Sequence, residues 1–262
     1  MTIAIVLVTH ESAAVIGSCL AALAGIGNLE VQLVDNASTD ATVAIARRWG
    51  PRVTVLDRNR GFAAAANTGA RLAGADHLCF LNPDCVLTIE AVSAARTAWR
   101  ARPDAVLVPD FRQCGTLVAG RQPGYSRAKL LADLLEMRAA LPRVRARLLR
   151  RPAYHDHRWH WPLGACVFVP RPVFDAIGGF DERYFLYMED CALGAAIHAA
   201  GGEVVSLPVV LEHIGNGSSA ISAERRLALL ESARLRWAAV HYGRPTAWAF
   251  GALLGALACA RR

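Results

Sequence analysis

The chain has 262 residues, 54% of them hydrophobic and 7% aromatic, enough for a sizeable buried core and unlike a disordered or low-complexity segment. Its 29 basic and 22 acidic residues leave a formal charge of +7, which points to an anionic partner: a phosphorylated ligand, a membrane surface or nucleic acid. The seven cysteines are odd in number and form no CxxC pair, which argues against a disulfide framework or a zinc site.

The run Ile3–Val8 follows no basic stretch and reads as a buried strand, not a signal peptide, so the first expectation is a cytoplasmic protein. Helix-length segments at Ala13–Ala24, Ala41–Trp49, Ala63–Ala73 and Ile89–Arg100 then alternate with β-branched runs at Val31–Asp35, Val53–Asp57 and His77–Leu81. Strand, helix, strand at this spacing predicts a parallel sheet with helices on both faces. The second half is less regular. It holds a basic segment, the Trp/His cluster Tyr154–Trp161, strand-like Ala165–Val169, and an acidic run from Phe180 into a helix over Cys191–Ala200. Strand-like Val204–Leu211, a helix over Leu227–Tyr242 and an apolar stretch Thr246–Ala260, too short to span a membrane, complete the chain.

Ligands of such sheets bind beyond the carboxyl ends of the strands. All four strand ends in the first half are polar: Thr9-His10-Glu11, Asp35 to Asp40, Arg58-Asn59-Arg60-Gly61 and Asn82-Pro83-Asp84. Asp35 closes an apolar strand, where an acceptor for a ribose or base N–H belongs, while Ser38 and Asp40 also suit a helix cap. Gly61 permits close backbone approach, and Arg58 and Arg60 can meet phosphate. No Walker loop or GxGxxG spacing is present, which counts against an NTPase or a dehydrogenase. Asp84 is placed to hold a hard divalent cation beside a diphosphate, although Pro83-Asp84 also suits a plain turn. Phe185, Tyr187 and Met188 surround Glu189-Asp190 with apolar bulk, which raises a carboxyl toward the range of a general base. The same two acids suit the N-terminus of a helix, and both readings can hold together. His213, beside Gly215-Asn216-Gly217-Ser218-Ser219, can supply a metal ligand or contact a diphosphate.

The ordered set Val8-Thr9-His10-Glu11-Ser12, Val34 to Asp40, Asn59 to Ala63, Asn67-Thr68-Gly69, Leu81 to Asp84, Gly164-Ala165-Cys166, Gly178 to Glu182 and Leu186 to Asp190 resembles the family 2 glycosyltransferases, in particular the bacterial rhamnosyltransferase-like branch. The resemblance covers about residues 3 to 219. It implies a GT-A fold, that is, a Rossmann-like α/β architecture with a mostly parallel central sheet flanked by helices. It also implies a nucleotide-diphosphate sugar donor, a divalent cation (Mg²⁺ or Mn²⁺) and inversion at the anomeric carbon. By position, Thr9, Glu11, Asp35, Arg58, Gly61, Asn67 and Asn82 would bind the donor nucleotide, and Asp84 with His213 would hold the metal. Asp190 would be the catalytic base, while Trp161, Gly164 and Glu189 would shape the acceptor or sugar pocket. Two features depart from the family pattern. Tyr-Asn is more usual at His10-Glu11, and the second acid and the arginine that relatives often carry after Asp190 are missing from Cys191 to Ala196.

The expected organisation is a nucleotide-sugar-binding half over 1–105, an acceptor-binding and catalytic half over 106–220, and C-terminal helices over 221–262. The expected reaction is transfer of a deoxyhexose such as rhamnose from a dTDP-, UDP- or GDP-linked donor to a glycan or polyprenyl-diphosphate-linked acceptor. A catalytically impaired sugar-nucleotide or glycan-binding module on the same fold is the alternative. The charge is local: nine basic and two acidic residues between Arg121 and Arg151 leave the rest of the chain formally neutral. Arg143, Arg147 and Arg150 recur at helical spacing, which suits either a membrane-surface element or a solvated helix. Aromatic residues are not interleaved with this run, so nucleic acid is not an expected partner. Peripheral contact through 138–151 and 246–262 would place the protein at the inner face of the cytoplasmic membrane.

Overall fold

A computed structural model describes residues 1–137, 155–215 and 221–259. In chain order the first half runs β1 (Ile3–Thr9), α1 (Ile16–Ala24), β2 (Leu29–Asp35), α2 (Thr42–Arg48), β3 (Arg52–Val55), α3 (Phe62–Leu72), β4 (His77–Leu81), α4 (Ile89–Ala101) and β5 (Val106–Gln113). Then come β6 (Thr116–Val118), β7 (Arg121–Tyr125), α5 (Arg127–Met137), β8 (His155–Pro162), β9 (Cys166–Pro170), α6 (Arg171–Ala176), α7 (Glu189–Ala199), β10 (Val204–Glu212), α8 (Ala223–Tyr242) and α9 (Arg244–Cys259).

The central sheet has eight strands in the order β10-β5-β9-β4-β1-β2-β3, with β6 on β5; β7 and β8 form a separate pair. The β4, β1, β2 and β3 strands are mutually parallel, and β10 is parallel to β5. All seven residues of β1 are buried, as an apolar run covered on both faces of a parallel sheet must be. Helix α3 approaches this strand closely because its packing residues are small. A Cβ on Gly69 would stand 2.4 Å from Val6 Cγ1. The Arg171 guanidinium then holds the end of α3, donating to the carbonyls of Ala70, Ala73 and Ala75 at 2.8–3.0 Å. The one antiparallel strand in the middle, β9, pairs with β4 from Leu81↔Cys166 to His77↔Pro170 and also touches β5. The sheet is therefore mostly parallel, as expected, with two reversed strands, β9 and the short β6.

The chain divides into two compact units: residues 1–122, 160–185 and 189–220, and residues 123–159, 186–188 and 221–262. The first holds the central sheet. In the second, Asp133 is buried and accepts from Tyr125 Oη (3.0 Å), Lys129 Nζ (3.1 Å) and Arg234 Nη2 (3.3 Å), so its charge is compensated where water cannot reach it. The apolar C-terminal stretch is helix α9; after the exposed Arg244 that opens it, the exposed positions Pro245, Trp248, Ala249, Ala252, Gly255, Ala256 and Cys259 carry no charge, and Trp248 is 77% exposed. Among the described residues no helix is long and apolar enough to cross a membrane. The stretch 138–151, which carries six of the nine basic residues of the basic segment, lies outside the described residues.

Candidate active site

The strand order sets the carboxyl ends of β4, β1, β2 and β3 side by side along one edge of the sheet. At the β1 and β2 ends Asp35 is fully buried and accepts from Thr9 Oγ1 (2.9 Å), the Ser38 backbone N–H (2.8 Å) and Ser38 Oγ (2.6 Å). Thr9 is equally buried, so its hydroxyl serves to orient Asp35. Glu11 adopts a left-handed backbone (φ 50°) and its carboxylate accepts from Thr39 N–H (2.7 Å) and Thr39 Oγ1 (3.0 Å). Its own N–H donates to Ser38 Oγ at 2.9 Å, which stitches the two turns together.

At the end of β3, Arg58 is exposed and Arg60 lies 3.8 Å from Glu182. Gly61 has φ 84°, and a Cβ there would stand 2.3 Å from the Phe185 carbonyl oxygen, so only glycine admits this approach. Asn67 is 8% exposed; its amide donates to Phe180 O and Glu182 Oε1 and accepts from Phe180 N–H, at 2.9–3.0 Å. Both halves of that amide are thus committed to the 180–182 turn.

At the end of β4, Asn82 N–H donates to Ala165 O (2.9 Å) and leads into Asp84, whose side chain is 1% exposed. A bridge between Cys85 and His213, with Ile214 N–H donating to Asp84 O (3.0 Å), brings the end of β10 alongside. His213 Nε2 then lies 3.4 Å from Asp84 Oδ1, while its buried Nδ1 has no hydrogen-bond partner. This separation is long for a hydrogen bond and near the roughly 3 Å between neighbouring ligands of an octahedral ion at about 2.1 Å. One carboxylate and one imidazole fit a divalent cation that takes its other ligands from diphosphate and water. Among the described residues no third His, Cys, Asp or Glu joins them.

Helix α7 begins at Glu189, two residues earlier than the sequence suggests, so both acids lie in its first turn. The preceding Tyr187 and Met188 have φ of 71° and 68°, a left-handed pair unusual for bulky side chains and costing roughly 1–2 kcal/mol each. Asp190 is partly exposed, and each of its oxygens is held by a backbone donor: Oδ2 by Gly164 N–H (3.0 Å) and Oδ1 by Cys191 N–H (2.8 Å). Glu189 is 7% exposed and its Oε2 has no partner. Trp161 lies against Gly194, where a Cβ would stand 2.3 Å from Trp161 Cβ. The helix thus carries glycine where β8 passes it, within the stretch that lacks the acid and arginine.

The Glycosyl transferase family 2 model matches residues 4–158. The chain belongs to that family. Its similarity extends to the family's rhamnosyltransferases: it is 33% identical over 219 residues to the N-acetylglucosaminyl-diphospho-decaprenol L-rhamnosyltransferase of Mycobacterium tuberculosis. That match covers 71% of this chain and 66% of the relative, so the chain spans a little under two thirds of the relative's length. Among solved structures, GalNAc-T7 with UDP, GalNAc and Mn²⁺ superposes with a TM-score of 0.64 at 16% identity, covering 91% of this chain and 47% of that one. The mannosyltransferase PcManGT from Pyrobaculum calidifontis, in complex with GDP-Man and Mn²⁺, gives 0.55 at 18% identity, covering 97% and 75%. The architecture is the GT-A fold.

For a family 2 protein the titration of the two acids is informative. Burial, with the adjacent Asp190 charge, pushes Glu189 up to about 8; burial pushes Asp190 up to about 6 against the two N–H donors that favour its charge. A carboxyl raised in the folded state stabilises the fold while protonated, and that contribution is lost as pH rises through the folded value. Glu189→Gln copies the neutral acid at every pH. The variant is therefore expected to melt above wild type at pH 9, with the difference shrinking toward pH 5. A pH-independent difference in melting temperature would refute the assignment.

Sequence reasoning singled out the acids, Asp84 and His213 but missed Asn36 and Phe185. Asn36 reads as one more turn residue after Asp35, and Phe185 as apolar bulk. Their partners lie on other elements of the first unit, where no local pattern reveals them.

Proposed function

We propose that the chain is an inverting, metal-dependent glycosyltransferase that moves rhamnose or another deoxyhexose from a dTDP-, UDP- or GDP-linked donor to a glycan or polyprenyl-diphosphate-linked acceptor. The observation that carries the reading is Asp190, a partly exposed carboxylate held by two backbone N–H groups at the start of α7, with its affinity for a proton raised by burial. A general base must be reachable, oriented and near neutrality, and Asp190 meets all three conditions.

Asp190 takes the proton of the acceptor hydroxyl as that oxygen attacks the anomeric carbon. The bond from this carbon to the diphosphate breaks, and the nucleoside diphosphate leaves with the electron pair. A single displacement of this kind inverts the anomeric centre. Asp35 and Glu11 line the nucleoside end, and the exposed Arg58 is available to the phosphates. Asp84 and His213 would hold Mg²⁺ or Mn²⁺, which when bound neutralises charge on the diphosphate. The deoxyhexose and the lipid-linked acceptor are supported by the name of the mycobacterial relative. An acceptor of that kind suits peripheral contact at the inner face of the cytoplasmic membrane, through 138–151 and the uncharged face of α9 within 246–262.

Thermal shift against dTDP, UDP and GDP, with and without Mn²⁺, tests the donor reading. A ligand at 100 times its Kd stabilises by about 2.7 kcal/mol, which at this chain length raises the melting temperature by roughly 5–10 °C. One nucleotide should produce that shift in a Mn²⁺-dependent manner. No shift from any of the three would remove the donor reading.

A further inference from the structure

Asn36 is 3% exposed and sits immediately after Asp35, yet its side chain bonds to the turn that follows β3. Its Nδ2 donates to Gly61 O (3.0 Å) and its Oδ1 accepts from Arg60 N–H (2.8 Å), so one amide grips the peptide on both sides of that bend. Gly61 N–H is held from the other side by Asn59 Oδ1 at 2.9 Å. The next residue, Phe62, donates its N–H to Phe185 O at 2.8 Å, and the missing Cβ of Gly61 makes room for that carbonyl. Phe185 stands two residues before the left-handed Tyr187-Met188 pair, which leads directly into Glu189 and Asp190. Asn67 pins the other end of the same segment at Phe180. The turn beside the donor acceptor Asp35 and the loop that ends in the base are therefore joined by an unbroken series of hydrogen bonds.

We propose that Asn36 is a positioning residue for transfer: by fixing the Arg60–Gly61 peptide against Phe185 it sets where the loop presents Asp190 relative to a donor anchored at Asp35. This rests on the reading of Asp190 as the base. Asn36 itself touches no reacting atom. Its effect is geometric, and misplacing a reacting group by about 1 Å can cost up to about 100-fold in rate.

Asn36→Asp keeps the acceptor for Arg60 N–H and sets an oxygen against Gly61 O, breaking one of the two bonds without opening a cavity. Gly61→Ala attacks the same link from the Phe185 side, and it decides the matter where Asn36→Asp fails to fold. Two measurements apply. Hydrogen exchange on the full chain without ligand should show faster exchange at Phe62 and across 185–191 in either variant, with β1 and β2 unchanged. Turnover of dTDP-rhamnose with a GlcNAc-diphospho-polyprenol acceptor should show kcat lowered by about 10-fold or more in either variant, and in Asn36→Asp the Kd for dTDP should stay within about threefold. The two substitutions should not multiply, because they break one link. Unchanged exchange at 185–191 overturns the proposal. So does a loss carried wholly by dTDP affinity, which would make Asn36 a donor contact, and so does unchanged kcat. Wild type inactive on dTDP-rhamnose removes that one donor from the reading above and leaves the exchange experiment to decide the role of Asn36.

Discussion

Asp190→Asn is expected to lower transfer by about 100- to 10,000-fold, the range over which a positioned general base accelerates a reaction, while nucleoside diphosphate still binds. The substitution removes the proton acceptor and little else. The side chain keeps its shape, and one amide oxygen can still accept from either Gly164 N–H or Cys191 N–H. The other N–H then faces an NH₂ group, which is destabilising, but a partly desolvated negative charge disappears at the same time. These effects oppose each other, so the melting temperature should move by only a few degrees. The pH dependence gives a second readout. Wild-type turnover should fall as pH drops through about 6, where Asp190 takes up a proton, and the residual activity of the variant should lack that limb. Nucleotide binding measured by calorimetry separates the outcomes. If binding and turnover fall in the same proportion, Asp190 is a donor ligand and the assigned role is wrong.

How much of this site is visible in the amino-acid order depends on the distance between partners. A buried parallel strand announces itself as an unbroken apolar run, and its functional end as an abrupt polar tip. Thr9, Asp35 and Asp84 stand out for that reason. Whether a tip residue faces a ligand or a neighbour is another matter. Thr9 and Asn67 fall within the nucleotide motifs, yet Thr9 is buried under Asp35 and the Asn67 amide is spent on Phe180. Strand direction is equally silent: the five apolar residues of β9 would read the same parallel or antiparallel, and only the register with β4 shows the reversal. His213 is more than 120 residues from Asp84, and the Cys85↔His213 bridge that joins them has no sequence signature. Glycine is the partial exception. Gly61 and Gly194 mark places where backbone passes close to backbone, but the sequence does not say that Phe185 and Trp161 are what passes.

The metal pair allows a test in which stability and function move apart. Asp84 has a side chain 1% exposed, in the part of the core that also holds Cys19 and Cys85; burial and the Asp84 charge both push these thiols up, Cys19 to about 12. A fold selected for stability alone would favour a neutral residue at so buried a position. Asp84→Asn is close to isosteric and removes the charge, so the protein without ligand should melt at or above the wild-type temperature. The same change weakens the only carboxylate of the proposed metal pair. The Mn²⁺-dependent part of the nucleotide-induced shift should then disappear, and turnover should fall by about 100-fold or more, since several kcal/mol of charge stabilisation at the diphosphate depend on it. His213→Ala should give a partial version of the same result, because imidazole contributes donor strength without charge. Chelation of wild type by EDTA should reproduce the loss of the Mn²⁺-dependent shift, and added Mn²⁺ should restore it. A lower melting temperature for Asp84→Asn combined with an undiminished Mn²⁺-dependent shift would make Asp84 a structural group, held by its neighbours for the sake of the fold.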